Sequence, residues 1–304
     1  MKLDRRLIDR IKQVFKGKLL GNEPLSKHTT YKVGGKAELV AIPLDEDDAY
    51  NVYRLAIKEK IPVNIIGAGS NVIAPDEGIE GIVIKMDGSR SGLTFLGGNR
   101  VRAFAGLSLR ALAEEAASRS LVGMESIACI PGTVGGAVVM NAGTDKGTTS
   151  DFLVRVEVVT SSGKRRVFSR DELNFGYRHS LFASSDWLIV SADFKLLKGD
   201  GEVAMKELKR IIKERFSKYP MKYPNAGSVF KRPPGDYAGR LIELSGCKGM
   251  KVGGAMVSYE HANFIVNTGG ATARDIVELI KKVQMRVFEK TGVLLEPEQI
   301  VLGS

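Results

Sequence analysis

The sequence is poor in the residue types that build disulfides and metal centres. Its 304 residues include 2 cysteines and 3 histidines, and neither type is clustered. Cys129 and Cys247 lie far apart, and so do His28, His179 and His261. This scarcity predicts a reduced protein without disulfides, and it argues against a metal site.

A stretch suited to crossing a membrane is also lacking. The uncharged run from Ser126 to Thr144 contains Pro131 and several glycines, which would break the continuous helix that lipid requires. The run is therefore either a buried turn or a loop whose backbone closely approaches a ligand. At the N-terminus, apolar residues such as Leu7 and Ile11 recur at helical spacing and predict an amphipathic helix rather than a signal peptide. We therefore expect a cytoplasmic protein.

No basic stripe marks a nucleic-acid-binding surface. The chain has 45 Lys and Arg against 35 Asp and Glu, a formal net charge of +10. These charges are mostly interleaved, as in the segment ELKRIIKER (207–215), and no stacking aromatics accompany them. We expect a solvated surface whose positive charge suits an anionic small molecule.

Helical and strand patterns alternate along the chain without a fixed repeat. Helices are predicted at 45–60, 108–119 and 202–218, from Asp236, and after Thr272. Strands are predicted at 62–66, 81–86, 92–97, 100–105, 152–160, 165–168, 187–197 and 261–267. The segment Gly199-Asp-Gly201 is the best candidate for a domain boundary. The pattern predicts an α+β fold made of mixed lobes.

The segment GAGSNV (67–72) follows a predicted strand and resembles the turn of a nicotinamide-binding Rossmann fold. Asp87 lies at the distance along the chain that is expected for the ribose-binding acid of that fold. Two observations argue against that interpretation. Val72 occupies the position where a small residue lets helix and strand pack closely. The following residues, 73–81, contain proline and two glycines and leave no room for the crossover helix.

Glycine-rich loops can still hold phosphate, because successive backbone N–H groups form a concave set of donors. Two such loops, 67–71 and 131–136, occur in a region that also contains YKVGG (31–35). Buried turns also contain glycine, but one long ligand with a diphosphate explains the three segments better than separate turns do. The cofactor-binding residues predicted in these three segments are Tyr31, Gly34, Gly35, Gly67, Ala68, Gly69, Ser70, Asn71, Pro131, Gly132, Thr133, Gly135 and Gly136.

Seven motifs, taken together and in order, resemble those of the UDP-N-acetylenolpyruvoylglucosamine reductases, flavoenzymes of bacterial peptidoglycan synthesis. They are TTYKVGG (29–35), GAGSN (67–71), IPGTVGGA (130–137), NAG (141–143), GYR (176–178), NAGSVFK (225–231) and LEPE (295–298). The resemblance extends from about residue 25 to the C-terminus. Single motifs are modestly specific, but the ordered set is strongly so. The resemblance adds Asn141 and Gly143 to the predicted cofactor-binding residues.

The resemblance implies an FAD-binding region of the vanillyl-alcohol-oxidase type at 1–199, with sub-lobes at about 1–87 and 88–199. A substrate-binding α+β domain is expected at 200–304, with the C-terminal end returning to the active site. The implied reaction uses NADPH and FAD to reduce the enolpyruvyl group of the UDP-sugar to UDP-N-acetylmuramate. No nucleic acid, membrane or obligate protein partner is expected.

Three residues match the catalytic positions of that family. An enol ether conjugated to a carboxylate accepts hydride only if the developing charge is stabilised, and the adjacent carbon then needs a proton. Arg178 can hold the carboxylate through paired N–H donors, and Glu298 can share the developing charge. Ser228 would donate the proton.

The chain also departs from the family pattern. Only eight residues separate Arg178 from the strand beginning at Trp187, which resembles the family branch without an inserted, substrate-covering Tyr. Arg232 and Gln299 stand where many relatives have Asn and Val. The predicted substrate-binding residues are Tyr177, Asn225, Lys231 and His261. Two alternatives stay open: an FAD-dependent oxidase with another substrate, and a non-catalytic UDP-sugar-binding protein.

Overall fold

The structure is a computed structural model that describes residues 3–88 and 92–303. Its α-helices in chain order are α1 (Arg5–Val14), α2 (Glu46–Lys58), α3 (Leu109–Ala117), α4 (Glu125–Ala128), α5 (Val134–Met140), α6 (Gly201–Lys218), α7 (Ala238–Leu244) and α8 (Ala273–Thr291). Its first nine strands are β1 (Lys18–Pro24), β2 (Lys36–Ile42), β3 (Val63–Ile66), β4 (Val72–Ile73), β5 (Ile79–Lys85), β6 (Leu93–Gly97), β7 (Arg100–Phe104), β8 (Leu121–Val122) and β9 (Gly143–Thr144). The others are β10 (Gly147–Thr148), β11 (Leu153–Val159), β12 (Arg165–Ser169), β13 (Leu188–Lys195), β14 (Leu197–Lys198), β15 (Lys251–Val252), β16 (Ala255–Val257), β17 (Ile265–Asn267) and β18 (Ile300–Val301).

The chain divides into two compact units, each assembled from segments distant in sequence. Unit 1 comprises Met1–Glu23, Glu38–Ala68 and Glu80–Glu214, and unit 2 comprises Pro24–Ala37, Gly69–Ile79 and Arg215–Ser304. The predicted division into a cofactor-binding region and a substrate-binding domain stays a prediction. Its ranges include residues 1, 2, 89–91 and 304, which lie outside the described residues.

Unit 1 is organised around two sheets. One has the strand order β1-β2-β5-β3, with β3 and β5 parallel. The other is antiparallel in the order β12-β11-β13-β7-β6. The central strand β13 is buried along seven of its eight residues, as expected for a strand covered on both faces. Apolar residues from these sheets and from α1, α2, α3 and α5 form one continuous core.

Side-chain caps fix where several predicted helices begin. The Asp45 carboxylate accepts from the Asp48 N–H (2.8 Å) and starts α2. Ser108 caps α3, and Thr272 forms a reciprocal capping pair with Asp275 at α8. A cap satisfies backbone N–H groups that have no partner within the first turn. These observations confirm the helices predicted at these positions.

The uncharged run at 126–144 differs from its prediction, because its middle forms helix α5 rather than a turn or loop alone. Glycine disfavours a helix when propensity alone decides. Here packing decides, since Val134, Gly135, Ala137 and Val138 are buried in unit 1. The helix ends at Asn141, whose φ of 42° and ψ of 53° are left-handed, a conformation that Asn tolerates better than most residues.

Unit 2 contains a small antiparallel sheet, β15-β16-β17, with helices α7 and α8 contributing to its core. A separate parallel pair joins β4 to β18, with Val72 opposite Ile300 and Ile73 opposite Val301. This pair fixes the C-terminal segment beside the residues that follow the first glycine-rich loop. The described parts of both units confirm the predicted α+β class.

Among the described residues, no helix combines the length and the apolar character needed to cross a membrane.

Candidate functional site

Two predicted cofactor loops approach each other in unit 1. A Cβ atom added to Gly67 would lie 2.4 Å from Thr133 Oγ1, far closer than van der Waals contact allows. Thr133 is the N-cap of α5, and its hydroxyl accepts a long hydrogen bond from the Gly136 N–H (3.5 Å). Gly67 is therefore a glycine because the second loop comes this close.

Backbone N–H donors without a protein partner lie in this part of unit 1, next to one lysine. Within the described residues, the N–H groups of Gly67, Ala68 and Gly132 donate to no other protein group. The Lys85 side chain is only 9% exposed, and its Nζ lies 3.5 Å from the Gly67 carbonyl oxygen and 3.3 Å from Asp87 Oδ2. The unpaired amides suit an anionic group such as a diphosphate, whereas the charge of Lys85 is already paired with that of Asp87.

Two adjacent glycines of α5 are glycines for different reasons. A Cβ at Gly135 would lie 3.1 Å from Ala105 Cβ, and the Gly135 N–H already donates to the Ala105 carbonyl (2.8 Å). Gly136 is exposed, and a Cβ there would meet nothing closer than Thr133 Oγ1 at 3.6 Å. Packing accounts for Gly135, whereas Gly136 leaves an accessible stretch of bare backbone.

Arg178 lies on a tight turn of unit 1. Gly176 and His179 exchange two backbone hydrogen bonds of 3.0 and 3.3 Å, which closes the turn around Tyr177 and Arg178. Arg178 has a φ of 53°, a left-handed conformation that costs a non-glycine residue about 1–2 kcal/mol. Its guanidinium lies 5.1 Å from the centre of the Tyr177 ring.

Two predicted cofactor residues hold this turn in place. The Arg178 Nη2 donates to the Gly143 carbonyl (3.0 Å). The Asn141 Nδ2 donates to the Gly176 carbonyl (3.0 Å), while Asn141 Oδ1 accepts from the Ser150 N–H (3.1 Å). In this structure the Asn141 amide and the Gly143 carbonyl orient the arginine. Their predicted contact with a cofactor stays a prediction.

Unit 2 places Ser228 beside the segment that carries Glu298. The Glu298 N–H donates to the Val229 carbonyl (2.8 Å), and the Lys231 N–H donates to the Glu296 carbonyl (2.9 Å). Ser228 and Glu298 are both partly exposed. The Ser228 hydroxyl forms no hydrogen bond with another described residue, so it is available as a donor.

The remaining predicted cofactor residues of unit 2 are part of its framework. Tyr31 is fully buried, and its hydroxyl donates to Gln299 Oε1 (3.0 Å). Burial raises the pKa of the Tyr31 phenol, which therefore stays protonated at neutral pH. A Cβ at Gly35 would lie 2.2 Å from the Asp76 carbonyl oxygen. The Asn71 Nδ2 donates to the Glu298 carbonyl (3.1 Å).

The structure also locates the other predicted residues of the glycine-rich segments. Gly34 has a φ of 120° and packs against Ala74, while Gly69 has a φ of 72° and approaches the His28 carbonyl. The Gly69 carbonyl accepts from the Thr30 N–H (2.9 Å). Ser70 is partly exposed, as are Ala68 and Gly132, whereas Pro131 is exposed.

The predicted substrate-binding residues have different surroundings. Tyr177 is 56% exposed in unit 1. In unit 2, Lys231 Nζ pairs with Glu296 Oε1 (2.6 Å). The Asn225 side chain is occupied by backbone groups, because its Nδ2 donates to the Tyr223 carbonyl (2.9 Å) and its Oδ1 accepts from the Gly227 N–H (3.1 Å).

His261 is the fourth of these residues. Its ring packs against Tyr219 and Phe264, with ring centres 5.2 and 4.9 Å away. Burial lowers the pKa of the His261 imidazole, which is therefore neutral at pH 7. The Nδ1 atom accepts from the Asn263 N–H (3.3 Å), so the remaining proton is on Nε2. A neutral imidazole of this kind can donate one hydrogen bond to a ligand.

Sequence reasoning missed Lys85 and the role of Gln299. Lys85 ends an otherwise apolar strand, IVIK (82–85), and a charge at such a position is a usable signal. Gln299 gave no comparable signal, since its partners Tyr31 and Ala226 are distant in sequence. In the described part of the chain, no group of three or more His, Cys, Asp or Glu side chains is arranged to hold a metal ion.

Comparison with known families gives two matches. A family model described as an FAD binding domain matches residues 37–169. A second, described as the UDP-N-acetylenolpyruvoylglucosamine reductase C-terminal domain, matches residues 219–302. The two matches follow each other along the chain, in the order that the motifs predict.

Individual proteins are similar over nearly the whole chain. The UDP-N-acetylenolpyruvoylglucosamine reductase of Caldanaerobacter subterraneus subsp. tengcongensis is 41% identical over 98% of both chains. The protein of the same name from Desulforamulus reducens is 42% identical, also over 98% of both. The crystal structure of UDP-N-acetylenolpyruvylglucosamine reductase from Thermus caldophilus is 36% identical, with a TM-score of 0.78 over 94% of this chain and 98% of that one.

Proposed function

This chain belongs to the UDP-N-acetylenolpyruvoylglucosamine reductase family, and we propose that it reduces the enolpyruvyl group of UDP-N-acetylglucosamine enolpyruvate to give UDP-N-acetylmuramate. NADPH is the hydride source and FAD the resident cofactor, and the product serves peptidoglycan precursor synthesis. The observation that carries the proposal is the 41% identity to a reductase of this name over 98% of both chains. We place the enzyme in the cytoplasm, where NADPH and nucleotide sugars are made, without an obligate protein partner.

The glycine-rich loops of unit 1 fit an FAD diphosphate. Support comes from the bare backbone at Gly67, the amides of Ala68 and Gly132, and the exposed Gly136. Lys85 supports this loop from behind, because its ammonium contacts the Gly67 carbonyl and pairs with Asp87. Bound FAD supplies hydride transfer from NADPH to the substrate carbon. The other predicted cofactor-binding residues belong to the same proposal.

Arg178 binds the substrate carboxylate in this proposal. A guanidinium offers two parallel N–H donors that match the two oxygens of a carboxylate. The left-handed backbone at Arg178 and the support from the Gly143 carbonyl favour one orientation of the side chain. A residue held in such a conformation by its surroundings is typical of functional sites. As hydride arrives, charge grows on the carboxylate side, and the arginine stabilises it.

Glu298 and Ser228 have the remaining chemical roles in this proposal. Glu298 stabilises the developing enolate charge by donating a hydrogen bond, which requires its carboxyl to be protonated. Ser228 gives its hydroxyl proton to the carbon next to the carboxylate. The hydrogen bond between the Glu298 N–H and the Val229 carbonyl (2.8 Å) supports a joint action of the two residues, since it keeps their backbones adjacent.

Four residues are proposed to act in substrate binding, three of them by direct contact. His261 can donate from Nε2 as a neutral ring, and Lys231 can contact the diphosphate if it leaves Glu296. Tyr177 offers an exposed ring for stacking. Asn225 acts through the turn that it stabilises before Ser228, because its side chain is already hydrogen-bonded to the backbone.

An anaerobic absorbance experiment tests the proposed function. Purified protein should be yellow, NADPH should bleach the flavin band, and the UDP-enolpyruvyl sugar should restore it. A flavin that only oxygen restores, with an alcohol as the electron donor, would support an oxidase instead. A colourless protein that binds UDP-sugars without turnover would support a binding protein.

A further inference from the structure

The side chain of Gln299 links the segment that contains Tyr31 to the segment that contains Ala226. Its Oε1 accepts from the Tyr31 hydroxyl (3.0 Å), and its Nε2 donates to the Ala226 carbonyl (3.2 Å). Both side chains are buried, with Tyr31 0% and Gln299 8% exposed. The carbonyl of Ala226 can only accept, which fixes the amide orientation and leaves Oε1 facing the phenol.

The location of this contact matters because of its neighbours. Ala226 precedes Ser228 by two residues, and Gln299 directly follows Glu298. Backbone pairing between these segments includes the Lys231 and Glu298 N–H groups. The chain turns at Gly227, two residues before Val229. The φ of 75° at Gly227 interrupts the extended backbone there. The Gln299 side chain bonds to the Ala226 carbonyl on the far side of this turn.

Tyr31 is itself anchored, so it can hold Gln299 in one rotamer. The Asn267 Nδ2 donates to the Tyr31 carbonyl (2.9 Å), and Asn267 is 7% exposed. Three segments therefore meet at one buried glutamine. Removing its amide would leave the Ala226 carbonyl and the Tyr31 hydroxyl buried without partners, which proteins avoid.

We propose that Gln299, held by Tyr31, is a positioning residue that sets the Ser228 hydroxyl relative to Glu298 for protonation of the substrate carbon. The proposal rests on the proposed function, because it assigns no chemistry to Gln299 itself. A reacting group must be held to within about 0.5 Å of its productive position. Misplacement by about 1 Å can cost roughly 100-fold in rate.

Separate measurement of the two half-reactions tests the proposal. Gln299→Met keeps the side-chain volume but removes both hydrogen bonds. We expect flavin binding and anaerobic bleaching by NADPH at the wild-type rate, with recovery by the UDP-enolpyruvyl sugar slowed by between about 10- and 100-fold.

The Gln299→Glu variant should show a pH-dependent recovery rate, which a purely structural role of Gln299 would not produce. A carboxylate cannot donate to the Ala226 carbonyl, whereas a protonated carboxyl can. The recovery rate of this variant, divided by that of the wild type, should therefore rise as the pH falls. The same ratio for Gln299→Met should stay flat.

The outcomes distinguish the two proposals. If wild-type flavin is not recovered by the sugar, the proposed function fails. If the wild type works but Gln299→Met recovers at the wild-type rate, or slows both half-reactions equally, the positioning role is wrong. Should Gln299→Met not fold, the half-reaction rates of Gln299→Glu and their pH dependence decide by the same criteria.

Discussion

Replacing Gly136 by alanine should stabilise the protein and weaken its hold on FAD at the same time. Gly136 lies in the first turn of α5, and a new Cβ would meet no atom closer than 3.6 Å. Alanine is the better helix former and restricts the unfolded chain. The flavin-free protein should gain about 0.4–1 kcal/mol in its free energy of unfolding.

The affinity for FAD should fall because of where the new methyl group of alanine would lie. If the diphosphate lies against the backbone at Gly136, the methyl group displaces it or the loop. Overpacking of this size costs about 1–3 kcal/mol, which corresponds to a dissociation constant weakened by roughly 10- to 100-fold. Stability and affinity therefore change in opposite directions.

Two matched variants complete the experiment. Gly135→Ala should lose stability, because its Cβ would lie 3.1 Å from Ala105 Cβ, and Ala105 is fixed by the hydrogen bond from its N–H to Val190. Gly21→Ala, where a Cβ meets nothing within 4 Å, should leave FAD affinity unchanged. Urea denaturation of flavin-free protein and FAD fluorescence titration measure the two quantities. Wild-type affinity in Gly136→Ala would refute the placement of the diphosphate at this backbone.

Three further changes have defined outcomes. Arg178→Lys should lower sugar-dependent recovery of the flavin by about 100- to 1,000-fold in stopped-flow absorbance while NADPH bleaching persists, because one ammonium cannot replace paired donors. Lys85→Met should weaken FAD binding by about 10-fold in fluorescence titration, and Lys164→Met, at an exposed site, should not. The pKa of the His261 imidazole is lowered in the folded protein. The free energy of unfolding should therefore be fully present above the ordinary histidine pKa of about 6.5 and should decrease as the pH falls below that value. In thermal denaturation between pH 8 and 5, His261→Gln should reduce that loss, and an unchanged slope would contradict the burial argument.

Much of the fold could be predicted because its signals are local. The residues Asp45, Ser108 and Thr272 predict where three helices begin, and each is observed as an N-cap. The hairpin at 152–168 shows alternation and a turn, and strands β11 and β12 pair as expected. Helix α5 was not predicted, because burial of Val134 and its neighbours outweighs the unfavourable propensity of glycine.

Contacts between distant segments account for what the sequence could not show. The approach of Gly67 to Thr133 and the parallel pair of β4 with β18 depend on tertiary folding, which no local pattern encodes. The fold class and the family were predicted correctly, since ordered motifs identify them. The roles assigned to individual site residues remain predictions. Gln299 received no role from its sequence context, and only its buried partners suggested one.

The Ser228→Ala variant tests the central claim most directly. Under anaerobic conditions its flavin should be bleached by NADPH at the wild-type rate. Recovery by the UDP-enolpyruvyl sugar should fall by about 100- to 10,000-fold, the contribution of a positioned proton donor. Recovery at a rate close to that of the wild type would contradict the assignment of Ser228 as the acid and, with it, the chemistry proposed here.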